Sequence, residues 1–361
     1  MARIALIYSL IFWLTTLNSL SHAQTSSQTV AEHEQKLWQE AKGRFGTIAD
    51  YAAYRNKYYP TPPQTAAHIA LGKQLFHDKA LSKNHNISCA SCHPLTNNRP
   101  GSDGLPHSPG TTGKLTSRNS PTVLNTGLHS IFFWDGRANT LEEQAAGPLL
   151  HPDEMGLASE EEVIERVSEH QHYQKAFKAL YVDGVTFANI VGAIVSFEHS
   201  LQTRDRFDDY LDGNIDALNT QEKRGLRTFI DVGCHECHSG PLLGGKTIEK
   251  LGSYGPFPEQ NDLGKYAITQ RESDKMQFKG CSLRNVGLTA PYFHTGHEPS
   301  LAKAIQLMAK IQKNIDLTPQ QTNDIEAFLL TLSGKLVPVG TIEEGEEGEE
   351  GESAESSSSL P

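Results

Sequence analysis

The sequence predicts a mostly α-helical protein of two domains with long loops. Three observations carry that prediction. Apolar residues recur at helical spacing in several stretches, and few stretches alternate as strands do. Two Pro/Gly-rich segments, 94–127 and 239–299, run well past the roughly 15 residues usual for loops in compact domains, so they need a functional reason. The pentamer Cys-x-x-Cys-His occurs twice, 145 residues apart, ahead of each long segment, in a chain of 361 residues.

The elements follow in order. Met1-Ala2-Arg3, the apolar run Ile4–Leu14 and the small-x-small triplet Ser21–Ala23 read as an export leader, with the mature chain starting near Gln24. The run falls short of the ~20 residues a spanning helix needs, so a membrane anchor is the lesser reading. Residues 31–45 and 65–76 read as helices. Ser159 and Glu162 form a capping box for the next. Phe187, Ile190, Val191, Ile194, Phe197 and Leu201 share one face of a helix over 186–202, and Asn219–Asp231 runs helically into the second pentamer. Ser300 caps a helix reaching Lys313. Thr318, Pro319 and Gln321 start a last helix that carries Ile325, Phe328, Leu329 and Leu332 and stops at Gly334. The domain spans are 24–203 and 204–338, with no close repeat between them beyond the pentamers. Residues 339–361 are acidic low-complexity chain expected to be disordered.

Charge excludes some functions. The net charge is −11, but eight acids lie between Glu343 and Glu355, so the body is only mildly acidic. No basic stripe and no phosphate-cradling Gly-rich loop offers a nucleic-acid or nucleotide site. A hydrophobic content of 37% is lean for a large aliphatic core, and a bulky prosthetic group would supply the missing apolar volume.

The cysteines are Cys89, Cys92, Cys234, Cys237 and Cys281. In Cys89-x-x-Cys92-His93 and Cys234-x-x-Cys237-His238 two thiols can add across the vinyl groups of a haem, while the adjacent histidine ligates its iron. Zinc is the competing reading, but it usually draws a matching second pair from nearby. A redox dithiol would sit in a βαβ context, which is absent here. Haem attachment is therefore the reading for both motifs, and the fold becomes two cytochrome c-like haem domains. Cys281 is left over as a small buried hydrophobe, with a reactive thiol as the minor reading.

The blocks "CASCH", "SRNSPTVLNT", "FFWDGRANTLEEQAAGPLLHPDEMG", "CHECHSG", "SLRNVGLTAPYFHTG" and "SLAKAIQLM", in that order over roughly 50–335, resemble the bacterial dihaem cytochrome c peroxidase family. A neighbouring branch holds the dihaem oxidase that matures methylamine dehydrogenase. The resemblance implies a peroxidatic first haem on Cys89, Cys92 and His93. It also implies an electron-transfer haem on Cys234, Cys237 and His238, with Met308 as sixth ligand. Without it, Met308 is a core residue of an amphipathic helix, and His294 competes for the ligand role. Glu154 and Gln144 would serve peroxide as proton carrier and hydrogen-bond partner; unaided, they read as ordinary surface or capping residues. Trp134 would lie between the haems as relay or space-filler. Asn119, Thr289 and Pro291 would supply oxygens to one calcium ion.

The family's blocking histidine, before the "RN" element, is replaced here by Thr111. Either the first iron stays open, which is the preferred reading, or His107 (then His129 or His151) takes that role. The implied partners are hydrogen peroxide and a small cytochrome c or blue copper protein (a cupredoxin) in the periplasm, and a homodimer is compatible with the pattern. The competing functions are a peroxide-dependent oxidase of a protein side chain and a dihaem electron carrier.

Overall fold

The computed structural model describes residues 30–58, 65–96 and 99–337. The expected leader (1–23), the start near Gln24 and the acidic tail (339–361) lie outside them. Among the described residues no helix is long and apolar enough to cross a membrane.

Helices dominate, as expected. The first are α1 (30–44), α2 (Ile48–Tyr58), α3 (Ala66–His77) and the single turn α4 (Cys89–Cys92). Next come α5 (Leu141–Leu150), α6 (Glu160–Ser168), α7 (Gln171–Leu180), α8 (Phe187–His199) and α9 (Arg206–Leu211). The last are α10 (Thr220–Asp231), α11 (Tyr266–Thr269), α12 (Leu301–Lys313) and α13 (Pro319–Leu330). The predicted N-caps hold, but the box expected at Ser159 does not close, because the Glu162 carboxylate accepts from the Ala158 N–H at 2.7 Å instead. Ser159, Ser300 and Thr318 accept from the backbone N–H groups of Glu162, Lys303 and Gln321, and Gln321 completes a capping box. The last helix ends at Leu330 rather than at Gly334. Gly334 instead donates its N–H to Asn285 Oδ1 at 2.9 Å, so it is an anchor point and not a helix cap.

Each half is organised on one crossed helix pair. Leu71, Leu75 and Phe76 of α3 pack on Ile190, Ile194 and Phe197 of α8, under Val163, Val167 and Phe177 of α6 and α7. Leu226, Phe229 and Ile230 of α10 pack on Ile325, Phe328 and Leu329 of α13. Both crossings are closed by glycine. A Cβ on Gly72 would stand 1.8 Å from the Ala193 carbonyl oxygen, and one on Gly225 would stand 1.8 Å from that of Asp324. One boundary differs from the expectation. Leu37 and Ala41 of α1, with Phe45 just beyond, pack in the second core, where Phe45 meets Phe207 edge-on at 5.5 Å. Residues 24–203 therefore do not all pack as one unit, because α1 carries an apolar stripe that only the second half covers.

The long loops hold short antiparallel pairs: β1 (Leu95–Thr96) with β2 (Arg99–Pro100), and β4 (Ile248–Lys250) with β5 (Gln277–Lys279). A third pair, β3 (Thr203–Arg204) with β6 (Lys335–Leu336), joins the ends of the two halves. Arg284 reinforces this join from inside. Its guanidinium meets Asp205 at 2.6 Å and Asp208 at 2.9 Å with all three side chains buried, and it donates to the Pro241 carbonyl at 2.8 Å.

The halves also repeat in a way the residue pattern did not suggest. Asn125 (φ 61°) and Asn285 (φ 64°) each take the left-handed conformation before a single 3₁₀ turn. Their Nδ2 groups both donate to Thr203 Oγ1, at 2.9 and 3.2 Å. Phe132 then bridges Ala138, as Tyr292 bridges Glu298. Phe133 and Phe293 take φ of 60° and 70°, and Gly136 and Gly296 follow at 69° and 59°. Thr140 and Ser300 then cap α5 and α12.

Candidate haem sites and the first-half cavity

Both pentamers wind one turn. The His93 N–H closes on the Cys89 carbonyl at 2.9 Å, and the His238 N–H on that of Cys234 at 3.0 Å. That turn is why the spacing works: residues i, i+3 and i+4 emerge on one side of a helical turn. Each imidazole is fixed through Nδ1, which lies 3.1 Å from the Gly101 carbonyl in His93. In His238 it lies 3.2 Å from the Leu243 carbonyl and 3.1 Å from that of Cys281. Nδ1 donating to the backbone leaves Nε2 as the ligating nitrogen. Burial lowers both imidazole pKa values, which favours the neutral form a metal requires.

The surroundings of the thiols count against the redox dithiol. Burial pushes Cys89 up to about 12 and Cys92 and Cys234 up to about 11, and it raises Cys237 as well. A reactive dithiol needs surroundings that stabilise thiolate, and these do the reverse. Among the described residues no three His, Cys, Asp or Glu side chains gather as a metal cage. The residues fit a covalently held haem, whose thioether sulfurs carry no charge. Cys281 is likewise raised to about 11 by burial.

A cavity of about 390 Å³ opens beside α5, walled by Phe133, Arg137, Pro148, His151 and Glu154 and, from the second half, Ile268. Burial raises the Glu154 carboxyl, against the pull of His151 and Arg137. His151 Nδ1 stands 3.8 Å from Glu154 Oε1. Gln144 is not in that wall but stands one helical turn before Pro148, on the same stripe of α5.

The loop before it is pinned. Thr111 is 2% exposed, donates its backbone N–H to the Glu154 carbonyl at 2.8 Å and its hydroxyl to Asn86 at 2.8 Å. Of the three histidines considered for the blocking role, only His151 lines this cavity. His107 follows Pro106, which packs on Gly296 of the second half, and His129 is buried beside Gly245.

Trp134 occupies the seam between the halves. Its Nε1–H donates to the Asn119 carbonyl at 2.8 Å and its own carbonyl accepts from Lys279 at 2.7 Å. Its ring meets His294 edge-on at 6.2 Å. His294 stacks on Phe278 at 4.1 Å and is held down to about 4 by burial. Met308 is half-buried on α12, whose end is tied to the second pentamer by Lys313 and Glu236 at 2.5 Å. Asn119 and Pro291 share Pro106 as a neighbour, Asn119 through its side-chain amide at 3.5 Å and Pro291 across a second cavity. Thr289 bonds the Val286 carbonyl of its own turn.

The di-haem cytochrome c peroxidase family model matches residues 66–216. Cytochrome c551 peroxidase of Nitrosomonas europaea is 41% identical over 75% of this chain and 81% of its own length. Cytochrome c peroxidase Ccp of Escherichia coli is 41% identical over 76% of this chain, which spans 60% of that relative's length. The chain belongs to the di-haem cytochrome c peroxidase family. A solved MauG-like protein associated with microbial copper homeostasis shares the fold, with 31% identity and a TM-score of 0.67 over 76% of this chain and 93% of its own. The peroxidase class expected from the motifs thus stands at the level of the family, and the family implies two haems.

Membership in this family does not by itself bring Arg118, Arg137, Pro148 or Ile268 forward; the structure does. Arg118 joins Asp135 (2.6 Å), beside Trp134, to Asp262 (2.5 Å) of the second half. Arg137 lies 3.5 Å over the Phe133 ring at the cavity wall. A sequence signal for this scaffold did exist: Phe133-x-x-Gly136-x-x-x-Thr140-Leu141 and Phe293-x-x-Gly296-x-x-x-Ser300-Leu301 share one spacing.

Proposed function

We propose that the protein reduces hydrogen peroxide to two waters, taking two electrons and two protons. The electrons come from a small cytochrome c or cupredoxin in the periplasm, which the expected leader would reach. The observation that carries this reading is Glu154: a carboxyl raised by burial, on the wall of a cavity in the half that carries Cys89, Cys92 and His93. Two haems, covalently held by Cys89 and Cys92 and by Cys234 and Cys237, with His93, His238 and Met308 as ligands, would supply oxygen binding and electron storage. The chain does the rest. Glu154 takes a proton from one peroxide oxygen and gives it to the other, so that water is the leaving group. Gln144 orients the bound oxygen, and Pro148 and Phe133 keep bulk water out. Trp134 fills the path between the halves. Asn119, Thr289 and Pro291 hold a calcium ion at the seam through oxygen atoms.

Stopped-flow mixing of the holoprotein, reduced donor and peroxide tests this. Donor oxidation at a rate set by peroxide is expected; no turnover even after pre-reduction rejects it. A second reading, oxidation of a protein side chain by peroxide, is favoured by Thr111, which brings no imidazole and whose hydroxyl is held by Asn86, and by the likeness to a MauG-like structure. Slow donor turnover with a long-lived oxidised state would select it. Two irons that ignore peroxide and carbon monoxide would leave only the electron carrier.

A further inference from the structure

Cations gather at the seam beside the segments that hold the second histidine. Lys279, on β5, has its pKa lowered by burial, and no carboxylate of the described residues lies in ion-pair range of its ammonium. Lys246, also lowered by burial, rests 4.6 Å over the Tyr51 ring and feels Arg55. His129, 7% exposed, feels both Lys279 and Arg55, and its Nδ1 is buried without a partner. Lys279 is half-buried and Lys246 is exposed, so both ammonium groups lie where an anion bound at the seam can meet them.

The backbone says which anions. A Cβ on Gly244 would lie 3.1 Å from His238 Nδ1, and the Gly245 N–H donates to the Gly280 carbonyl at 2.6 Å. The Cys281 carbonyl accepts from His238 Nδ1 at 3.1 Å. Lys246 and Lys279 therefore extend from the two segments that clasp the second histidine. A macrocycle bound there carries two carboxylate side chains of its own.

We propose that Lys279 and Lys246, with His129 opposite, form the cradle for the propionate carboxylates of the second haem. This rests on the two-haem reading above. The cradle holds the macrocycle's orientation and stabilises its reduced, more negative state. It is a positioning and potential-setting device and does not touch peroxide.

The test uses the holoprotein carrying Lys279→Met, Lys279→Arg or Lys246→Met. Haem content by mass comes first, because a chain without two covalent macrocycles fails the family reading and not this one. Each haem is then titrated electrochemically. Lys279→Met is expected to shift one haem's reduction equilibrium at least tenfold towards the oxidised form, about 59 mV for one electron. The other haem should move less than threefold, and Lys279→Arg should return both to within threefold of wild type. Lys246→Met, at an exposed position that the fold tolerates, should shift the same haem the same way by a smaller factor. Unchanged equilibria in Lys279→Met, or in Lys246→Met should the first variant not fold, overturn the proposal. A loss of thermal stability without a shift in potential does so too.

Discussion

The glycine at each helix crossing sets how close the paired helices come, and alanine there makes a measurable prediction. In Gly72→Ala the new methyl would stand 1.8 Å from the Ala193 carbonyl oxygen and 2.9 Å from Phe197 Cβ. Ordinary carbon contacts need about 3.5 Å, so α3 and α8 must move apart by more than 1 Å. Overpacking of that kind costs about 1–3 kcal/mol. The better helix propensity of alanine returns about 0.5–1 kcal/mol. At the middle of both ranges the net loss is about 1 kcal/mol, or roughly 2–4 °C in Tm for a unit of this size. Gly192 supplies the control on α8 itself, because nothing lies within 4 Å of a Cβ there. Gly192→Ala should stabilise by about 0.4–1 kcal/mol. Thermal unfolding of the two holoproteins, followed at the haem band and in the far ultraviolet, reads both. If Gly72→Ala melts at or above wild type, or Gly192→Ala melts below Gly72→Ala, the close crossing is not what fixes the helix pair. Gly225→Ala, 1.8 Å from the Asp324 carbonyl oxygen, should copy Gly72→Ala in the second half.

Three further outcomes are expected. Glu154→Gln keeps the wall's shape but carries no exchangeable carboxyl proton, so kcat/KM for peroxide should fall about 10²–10⁴-fold in stopped flow while haem content stays unchanged. Arg284→Met leaves Asp205 and Asp208 buried without their cation, a loss of about 3–5 kcal/mol by denaturant titration. Glu198 is buried, and burial, helped by Glu142, raises its carboxyl to about 8. The native state therefore holds a proton that the unfolded chain releases near its ordinary 4.5, and the stability this group contributes is lost as pH rises from there through about 8. Glu198→Gln should match wild type near pH 4 and be the more stable protein above pH 8, as measured by melting temperature across that range.

What the sequence made legible was local. Capping hydroxyls at Ser159, Ser300 and Thr318 and apolar stripes on α8 and α13 predict their helices because the signal and the structure share one turn of chain. The pentamers were legible for the same reason: two thiols and one imidazole within five residues leave little to tertiary context. Contacts assembled from distant segments were not. Nothing local tells Leu37 and Ala41 that Phe229 will cover them, or tells Ile268 that it will wall a cavity with Glu154. The charge on Arg284 reads as surface until two aspartates close around it.

The repeat explains both what was missed and why the halves can do different work. The shared scaffold is set by the backbone: a left-handed asparagine, an aromatic residue with positive φ, a glycine three residues on and a hydroxyl cap. These are single positions, and their common spacing stands out only beside the backbone conformations. The side chains hung on that scaffold are free to diverge, and they do so where chemistry differs. Trp134 stands where the second hairpin has His294, and the eighth residue of α5 is Pro148 where that of α12 is Met308. If Met308 places a thioether on the second iron, the matching place in the first half offers an atom that cannot ligate, and the open cavity beside Glu154 follows from that one difference. Replacing Met308 with a residue lacking sulfur should then make the second iron reactive towards carbon monoxide. Placing methionine at Pro148 should slow peroxide turnover by occupying the first, with low-temperature EPR reporting the change of spin state in each. A second iron that stays closed without Met308 would hand the ligand role to another residue and break the argument from symmetry.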